Sequence, residues 1–191
     1  MIEESLIFLK NEMNNYLNPK FDPPSEERVV LADITKAGDD PDLDKKIILS
    51  LVNIEEDRVS RNPENFVKID NKVVYKNPKI NLNVYCLFTV NRGKDYSGAM
   101  RHLSLIIQFF QQKNVFTKEN SPALDSRIEK LVFDLYSLSF EQVNHLWSVL
   151  GGKYLPSVMY KMRMISIDEE ITEAEGELIR EINLSGKDIT N

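Results

Sequence analysis

One cysteine, two histidines and seven glycines are spread over 191 residues. The single thiol, Cys86, rules out an internal disulfide. Its place in an apolar run marks a buried, inert side chain rather than a reactive one. His102 and His145 sit on separate helical segments with no cysteine or histidine nearby, so no metal-ligand spacing exists and no metal is expected. Excess positive charge is missing as well: 24 bases face 30 acids, a net charge of −6. The concentrated basic footprint of a nucleic-acid-binding protein is therefore absent. No apolar run approaches the roughly 20 residues that cross a bilayer, so no membrane partner is expected. The N-terminal MIEESLIFLKNEM is acidic and has no small-residue cleavage site, unlike a secretory signal. Synthesis and folding in a reducing cytoplasm follow from these absences.

Catalytic patterns are equally scarce. Gly151-Gly152-Lys153 lacks the upstream glycine spacing of a phosphate loop and the Ser or Thr after its lysine. Ser157 lies outside any nucleophile elbow. Asn183-Leu184-Ser185 matches a glycosylation acceptor, which has no meaning without a signal peptide. An enzyme needs a nucleophile, a base or a metal set, and none is visible, so no catalytic residue and no cofactor is assigned. Assembly is the better reading. Two rivals stand beside it. In one, an enzyme or small-ligand module uses a cleft between Glu55-Glu56 and the loop 151–156. In the other, a monomeric adaptor binds a peptide along a sheet edge.

What is present points to one domain. A hydrophobic content of 42% and a charged content of 28% suit a single well-filled core. Charge is distributed unevenly. Between Asp168 and Glu181 there are seven acids and one base, Arg180, so the rest of the chain is neutral. This divides the chain into a domain over 1–168 and an acidic C-terminal arm over 169–191. The arm reads either as a solvated tail or as a segment that docks on a neighbour. It also carries Leu178, Ile179, Ile182 and Leu184, an apolar patch that wants a partner.

The stretch 139–168 organises the reading. Ser139 is a natural N-cap with Gln142 three residues on, the pattern of a capping box. Val143, Leu146, Trp147 and Leu150 form one helical stripe. Gly151 and Gly152 end the helix, and Pro156 keeps it from resuming. From Ser157 the chain alternates as a half-buried strand, with Val158, Tyr160, Met162 and Met164 on one side and Lys161 and Arg163 on the other. Upstream, Leu6, Leu9, Met13 and Leu17 predict a helix over 2–17. Short strands are expected at 29–32 and 46–55, and 35–45 reads as a loop. A hairpin is expected over 66–75 with its turn near Asp70-Asn71. Ile80, Leu82, Val84, Cys86 and Phe88 mark a strand whose second face turns apolar halfway along. Asp95 or Ser97 caps a helix to about 112. Residues 127–136 fit helix or strand, with strand favoured because they abut the cap at Ser139. The order predicts α+β or α/β architecture, a mixed sheet of four to six strands with about three helices.

Four blocks carry a family resemblance: ILSLVNIEED at 48–57, NLNVYCLF at 81–88, LSLIIQFFQ at 103–111 and LWSVLGGKYLPSVMYKMR at 146–163. In this order they resemble the N-terminal domain of the cap protein of contractile injection particles, of the antifeeding-prophage and virulence-cassette type, over about residues 3–168. The resemblance implies a tail-terminator fold and a structural role. A hexameric ring would close the end of the inner tube distal to the baseplate and tie it to the sheath. Its implied partners are further copies of itself, the tube protein and the sheath protein, in a particle assembled in the cytoplasm. The segment 66–76 is not part of the family pattern, and the sequence ends soon after the arm, with no second domain expected. The residues expected at interfaces are Trp147, Gly151, Gly152, Tyr154 and Pro156, the basic Lys153, Lys161 and Arg163, and Leu178, Ile179 and Ile182 of the arm. The arm is expected to leave its own domain and add to an adjacent subunit by strand addition.

Overall fold

The computed structural model describes residues 1–22, 27–57, 66–69, 72–76, 81–151, 154–166 and 172–177. The first helix, α1 (Ile2–Leu17), buries Leu6, Phe8, Leu9, Met13 and Leu17, the recurrence of a helix lying on a sheet. The second, α2 (Tyr96–Gln112), buries Ala99, His102, Ile106, Phe109 and Phe110. Its start is set by Asp95, whose carboxylate accepts from the Gly98 N–H at 2.8 Å and from Arg92 Nε at 3.0 Å. Position 98 needs glycine because a Cβ there would lie 2.0 Å from Asp95 Oδ2, and any side chain would displace the cap. The third helix is α3 (Phe140–Val149).

The strands in chain order are β1 (Val29–Leu31), β2 (Ile47–Glu56), β3 (Phe66–Ile69), β4 (Lys72–Lys76), β5 (Leu82–Val90), β6 (Val115–Thr117), β7 (Ile128–Leu135), β8 (Ser157–Ser166) and β9 (Thr172–Glu177). Six of them form a mixed sheet in the order β1-β2-β5-β8-β7-β6. Only β1 and β2 run parallel; the other neighbours are antiparallel. The expected six-stranded limit and three helices are met, and residues 127–136 are strand, as β7. The loop expected at 35–45 contains two short 3₁₀ turns, Ile34–Lys36 and Pro41–Leu43, capped by Asp33 and Asp40.

The remaining strands form a second sheet in the order β3-β4-β9. Its order repeats the centre of the first: β3 follows β2 in the chain, β4 precedes β5, and β9 follows β8. The hairpin expected over 66–75 is present as β3 and β4, with its turn at 70–71 outside the described residues. The acidic arm differs from expectation here. Thr172–Glu177 does not leave the chain's own fold but pairs antiparallel with β4, placing Glu177 opposite Lys72 and Glu175 opposite Val74. Main-chain pairing with a lysine-bearing strand overrides the poor strand propensity of TEAEGE.

Alternation along the strands divides the core. Val84, Cys86, Phe88 and Val90 of β5 and Tyr160, Met162 and Met164 of β8 join α1 and α2 in the larger cluster. On the opposite face Ile48 packs with Ile34, Ala37, Leu43 and Trp147. As expected, the second face of β5 turns apolar halfway, from Asn83 and Tyr85 to the buried Leu87 and Thr89.

Both outer margins of the large sheet are closed by an asparagine side chain. Asn14 of α1 donates to Val29 C=O at 2.9 Å and accepts from the Arg28 and Val29 N–H groups at 2.9 Å each. At the other margin Asn120 donates to Val115 C=O and accepts from the Thr117 N–H, each at 3.0 Å. Each amide stands in for a missing neighbouring strand and satisfies main-chain groups that would otherwise invite one. Replacing Asn14 by Leu strands three buried main-chain groups beneath α1. The expected loss is about 2–4 kcal/mol, read as a lower urea midpoint with an unchanged slope.

Candidate functional site

α3 begins with a reciprocal cap. The Ser139 hydroxyl accepts from the Gln142 N–H at 3.2 Å, and the Gln142 side chain accepts from the Ser139 N–H at 2.9 Å. The helix ends at Gly151, whose φ of +99° is open to glycine at little cost. No atom would touch a Cβ there, so backbone conformation rather than space sets the requirement. Pro156 then hands the chain to β8, its C=O accepting from the Val90 N–H at 2.9 Å.

The predicted stripe on α3 is only half covered. Trp147 is buried, while Val143, Leu146 and Leu150 are intermediate. Around it lie large apolar side chains in water: Phe140 is 98% exposed, Val149 84% and Tyr154 61%. The Tyr154 ring meets Trp147 edge-on at 5.4 Å. Shallow grooves of mixed polarity flank the helix. One of about 330 Å³ includes Leu87, Leu135, Leu138, Val143, Trp147 and Met159. Another of about 280 Å³ is lined by Phe140, Val143, Asn144, Trp147, Ser148 and Tyr154. A cluster of exposed apolar side chains marks an interaction site more often than an isolated one does.

Above α3 the same sheet face is polar. Tyr85 and Tyr136 meet edge-on at 5.0 Å, and the Tyr85 hydroxyl donates to Glu55 at 2.8 Å. Desolvation, reinforced by the bond to Glu55, pushes the Tyr85 hydroxyl up to about 12. Arg163 holds Asp134 through two nitrogens at 3.1 and 3.0 Å, an exposed pair worth little to stability. Lys161 lies opposite Tyr85 on one side and Asp134 on the other.

The structure therefore gathers Trp147, Gly151, Tyr154 and Pro156 at one end of the sheet and sets Lys161 and Arg163 further along it. Gly152, Lys153, Leu178, Ile179 and Ile182 lie outside the described residues. Sequence reasoning missed Phe140, Val149 and Leu135. The helical period carried the signal for Phe140, which falls three residues before Val143 on the same stripe.

The cleft between Glu55 and 151–156 is not formed. Glu55 pairs with Asn83, which pairs with Arg163, whereas Ser157 pairs with Thr89. At roughly 3.3 Å per residue the two places are about 20 Å apart along the sheet. Cys86 is buried and its pKa is pushed up to about 12 by desolvation, which removes the thiolate that nucleophilic chemistry requires. His102 is buried with its ring stacked on Phe21 at 4.7 Å. Its Nδ1 donates to the Gly98 carbonyl at 2.7 Å, and burial lowers its pKa. No group of three or more metal-ligating side chains occurs among the described residues. No helix among them is long and apolar enough to cross a membrane.

The family model described as the Pvc16 N-terminal domain matches residues 7–181. Among solved structures, the chain is similar to the PVC sheath/tube terminator of an extracellular contractile injection system in its extended state, with a TM-score of 0.62 and 12% identity. That match covers 100% of this chain and 64% of the other. It is also similar to the anti-feeding prophage cap, a tube terminating cap, with a TM-score of 0.59 and 16% identity over 93% of this chain and 60% of the other. The chain thus spans less than two thirds of the length of these solved structures. No curated protein matches its sequence.

Two substitutions separate packing from surface. Trp147→Ala is expected to cost about 3–5 kcal/mol, whereas Phe140→Ser stays within about 0.5 kcal/mol of the parent, both measured by urea unfolding. Cys86 is expected to resist iodoacetamide in the folded protein at mildly alkaline pH and to react once urea unfolds it. Alkylation of the folded chain would show that the strand pair around it opens.

Proposed function

Because this chain belongs to the Pvc16 N-terminal domain family, we propose that it is a structural subunit that terminates the tube of a contractile injection particle. The observation that carries this reading is the likeness of fold along the whole chain to a sheath/tube terminator, supported by the likeness to a tube terminating cap. Copies of the chain form a ring, six in number, over the tube end distal to the baseplate, and the ring ties tube to sheath. Its partners are its own copies and the tube and sheath proteins, with no nucleic acid, membrane, cofactor or catalytic step. It is made and assembled in the cytoplasm. Residues 1–168 act as the terminator-like domain and 169–191 as its acidic arm.

The half-covered surface around α3 supplies the contact. Burying Phe140 or Val149 against a partner contributes about 1.5–3 kcal/mol each, and neither side chain supports the fold. Trp147, Gly151, Gly152, Tyr154 and Pro156 shape that surface. Lys153, Lys161 and Arg163 offer basic groups to an acidic neighbour, and Leu178, Ile179 and Ile182 extend the apolar contact from the arm.

Cells lacking the chain are expected to yield tubes of irregular length without an attached sheath. A Phe140→Asp/Val149→Asp double variant is expected to fold and yet be absent from purified particles, as judged by quantitative mass spectrometry. Normal particles from the deletion strain would refute the reading.

A further inference from the structure

The connection from α1 to β1 is fastened to α2 through one ring. Phe21 stacks on His102, with centroids 4.7 Å apart and planes 17° from parallel. The guanidinium carbons of Arg28 and Arg101 lie 4.6 and 4.9 Å from the centre of the same Phe21 ring. An Arg101 nitrogen also reaches the Lys20 carbonyl at 3.5 Å. The 3₁₀ turn that leads into Phe21, Asn18–Lys20, buries none of its own side chains. The ring and the Arg101 contact are therefore what tie this connection to α2.

The imidazole beneath Phe21 is only 3% exposed and satisfied on one side. A carbonyl accepts, so Nδ1 carries the proton that meets the Gly98 C=O at 2.7 Å. Nε2 is buried and has no hydrogen-bond partner among the described residues. A second proton would land on Nε2, where no acceptor waits, and an unpaired buried charge is costly. The surrounding charges add to that cost. Arg101 on α2, Arg92 ahead of α2 and Arg28 ahead of β1 all act against a proton on the ring. Among the described acids, Asp95 at the α2 cap is coupled to the ring, but Arg92 and the Gly98 N–H already engage it. Asp22, beside Phe21 on the connection, is exposed.

We propose that His102 is an acid-sensitive latch, whose protonation releases the Phe21 end of the α1–β1 connection from α2. Turning Phe21 away brings water to Nε2 while α2 keeps its main-chain bonds. Desolvation, reinforced by the three arginines and opposed by the Gly98 bond, holds the imidazole of the closed latch below its ordinary value. The open connection takes up the proton near pH 6.5, the closed one only at lower pH. The closed form is therefore fully favoured above about pH 6.5 and loses that advantage as the pH falls below it. The latch is a property of the single chain and is independent of what the chain assembles with.

The test is an NMR titration of the full chain. It has two histidines, and His145 is exposed on α3, which makes it an internal reference. An NOE between the His102 and Phe21 rings is expected at about pH 7.5 and lost by about pH 5. The NOE between Phe8 and Phe116, which meet in the core, is expected to persist throughout, so opening is told apart from unfolding. His102→Phe keeps a ring for Phe21 to stack on and has no proton to take up. In that variant the Phe21 ring signals are expected to stay constant over the same range. His102→Gln, also neutral at every pH, replaces it if the first variant does not fold. A His102–Phe21 NOE that survives at pH 5, or is already missing at pH 7.5, overturns the proposal. So does its loss together with the core NOE, or a release of Phe21 by acid that persists when position 102 cannot be protonated.

Discussion

The fold depends on the packing of one ring, that of Phe110. It lies 4.1 Å from the Tyr160 ring, 4.9 Å from Phe133 and 5.6 Å from Phe88, so a single residue of α2 touches β8, β7 and β5 together. Phe109 beside it reaches Phe116 of β6 and Tyr16 of α1, and Phe8 of α1 meets Phe116 edge-on at 5.6 Å. Aromatic contacts of this geometry add to the area they bury. They hold α1 and α2 against one face of the large sheet.

What remains follows from the other face. Among the described residues, one short helix and two 3₁₀ turns cover it. Trp147 closes its lower end over Ile48, but the rest of the α3 stripe is half in water and Phe140 is wholly so. Farther up, the face carries compensating charge in Glu55, Asp134, Lys161 and Arg163. A monomer gains nothing from an exposed phenylalanine at a helix start. Under the proposed function, another protein covers it.

Much of this was legible from residues alone. The α1, α2 and α3 stripes, the Ser139–Gln142 cap and the half-apolar second face of β5 all follow from local period, and the structure has them. The asparagine plugs were not legible. Asn14 bonds across to Val29 and Asn120 to the β6 margin, and nothing in an isolated asparagine distinguishes a plug from a solvated side chain. The pairing of β9 was hidden for a related reason. Its alternating glutamates read as a solvated tail or a segment for a neighbour, because cross-strand neighbours such as Lys72 are far away in sequence. The supposed cleft failed on register: Glu55 and Ser157 belong to rows at opposite ends of β8, and register is a property of pairing that a single strand does not display.

The central claim is that this chain ends a tube rather than building its length or acting on a substrate. Imaging purified particles that carry a bulky tag on this chain tests it most directly. A subunit that ends the tube gives tag density at one end only, the end away from the baseplate. Density along the whole tube, at the baseplate, or absent from intact particles would contradict it.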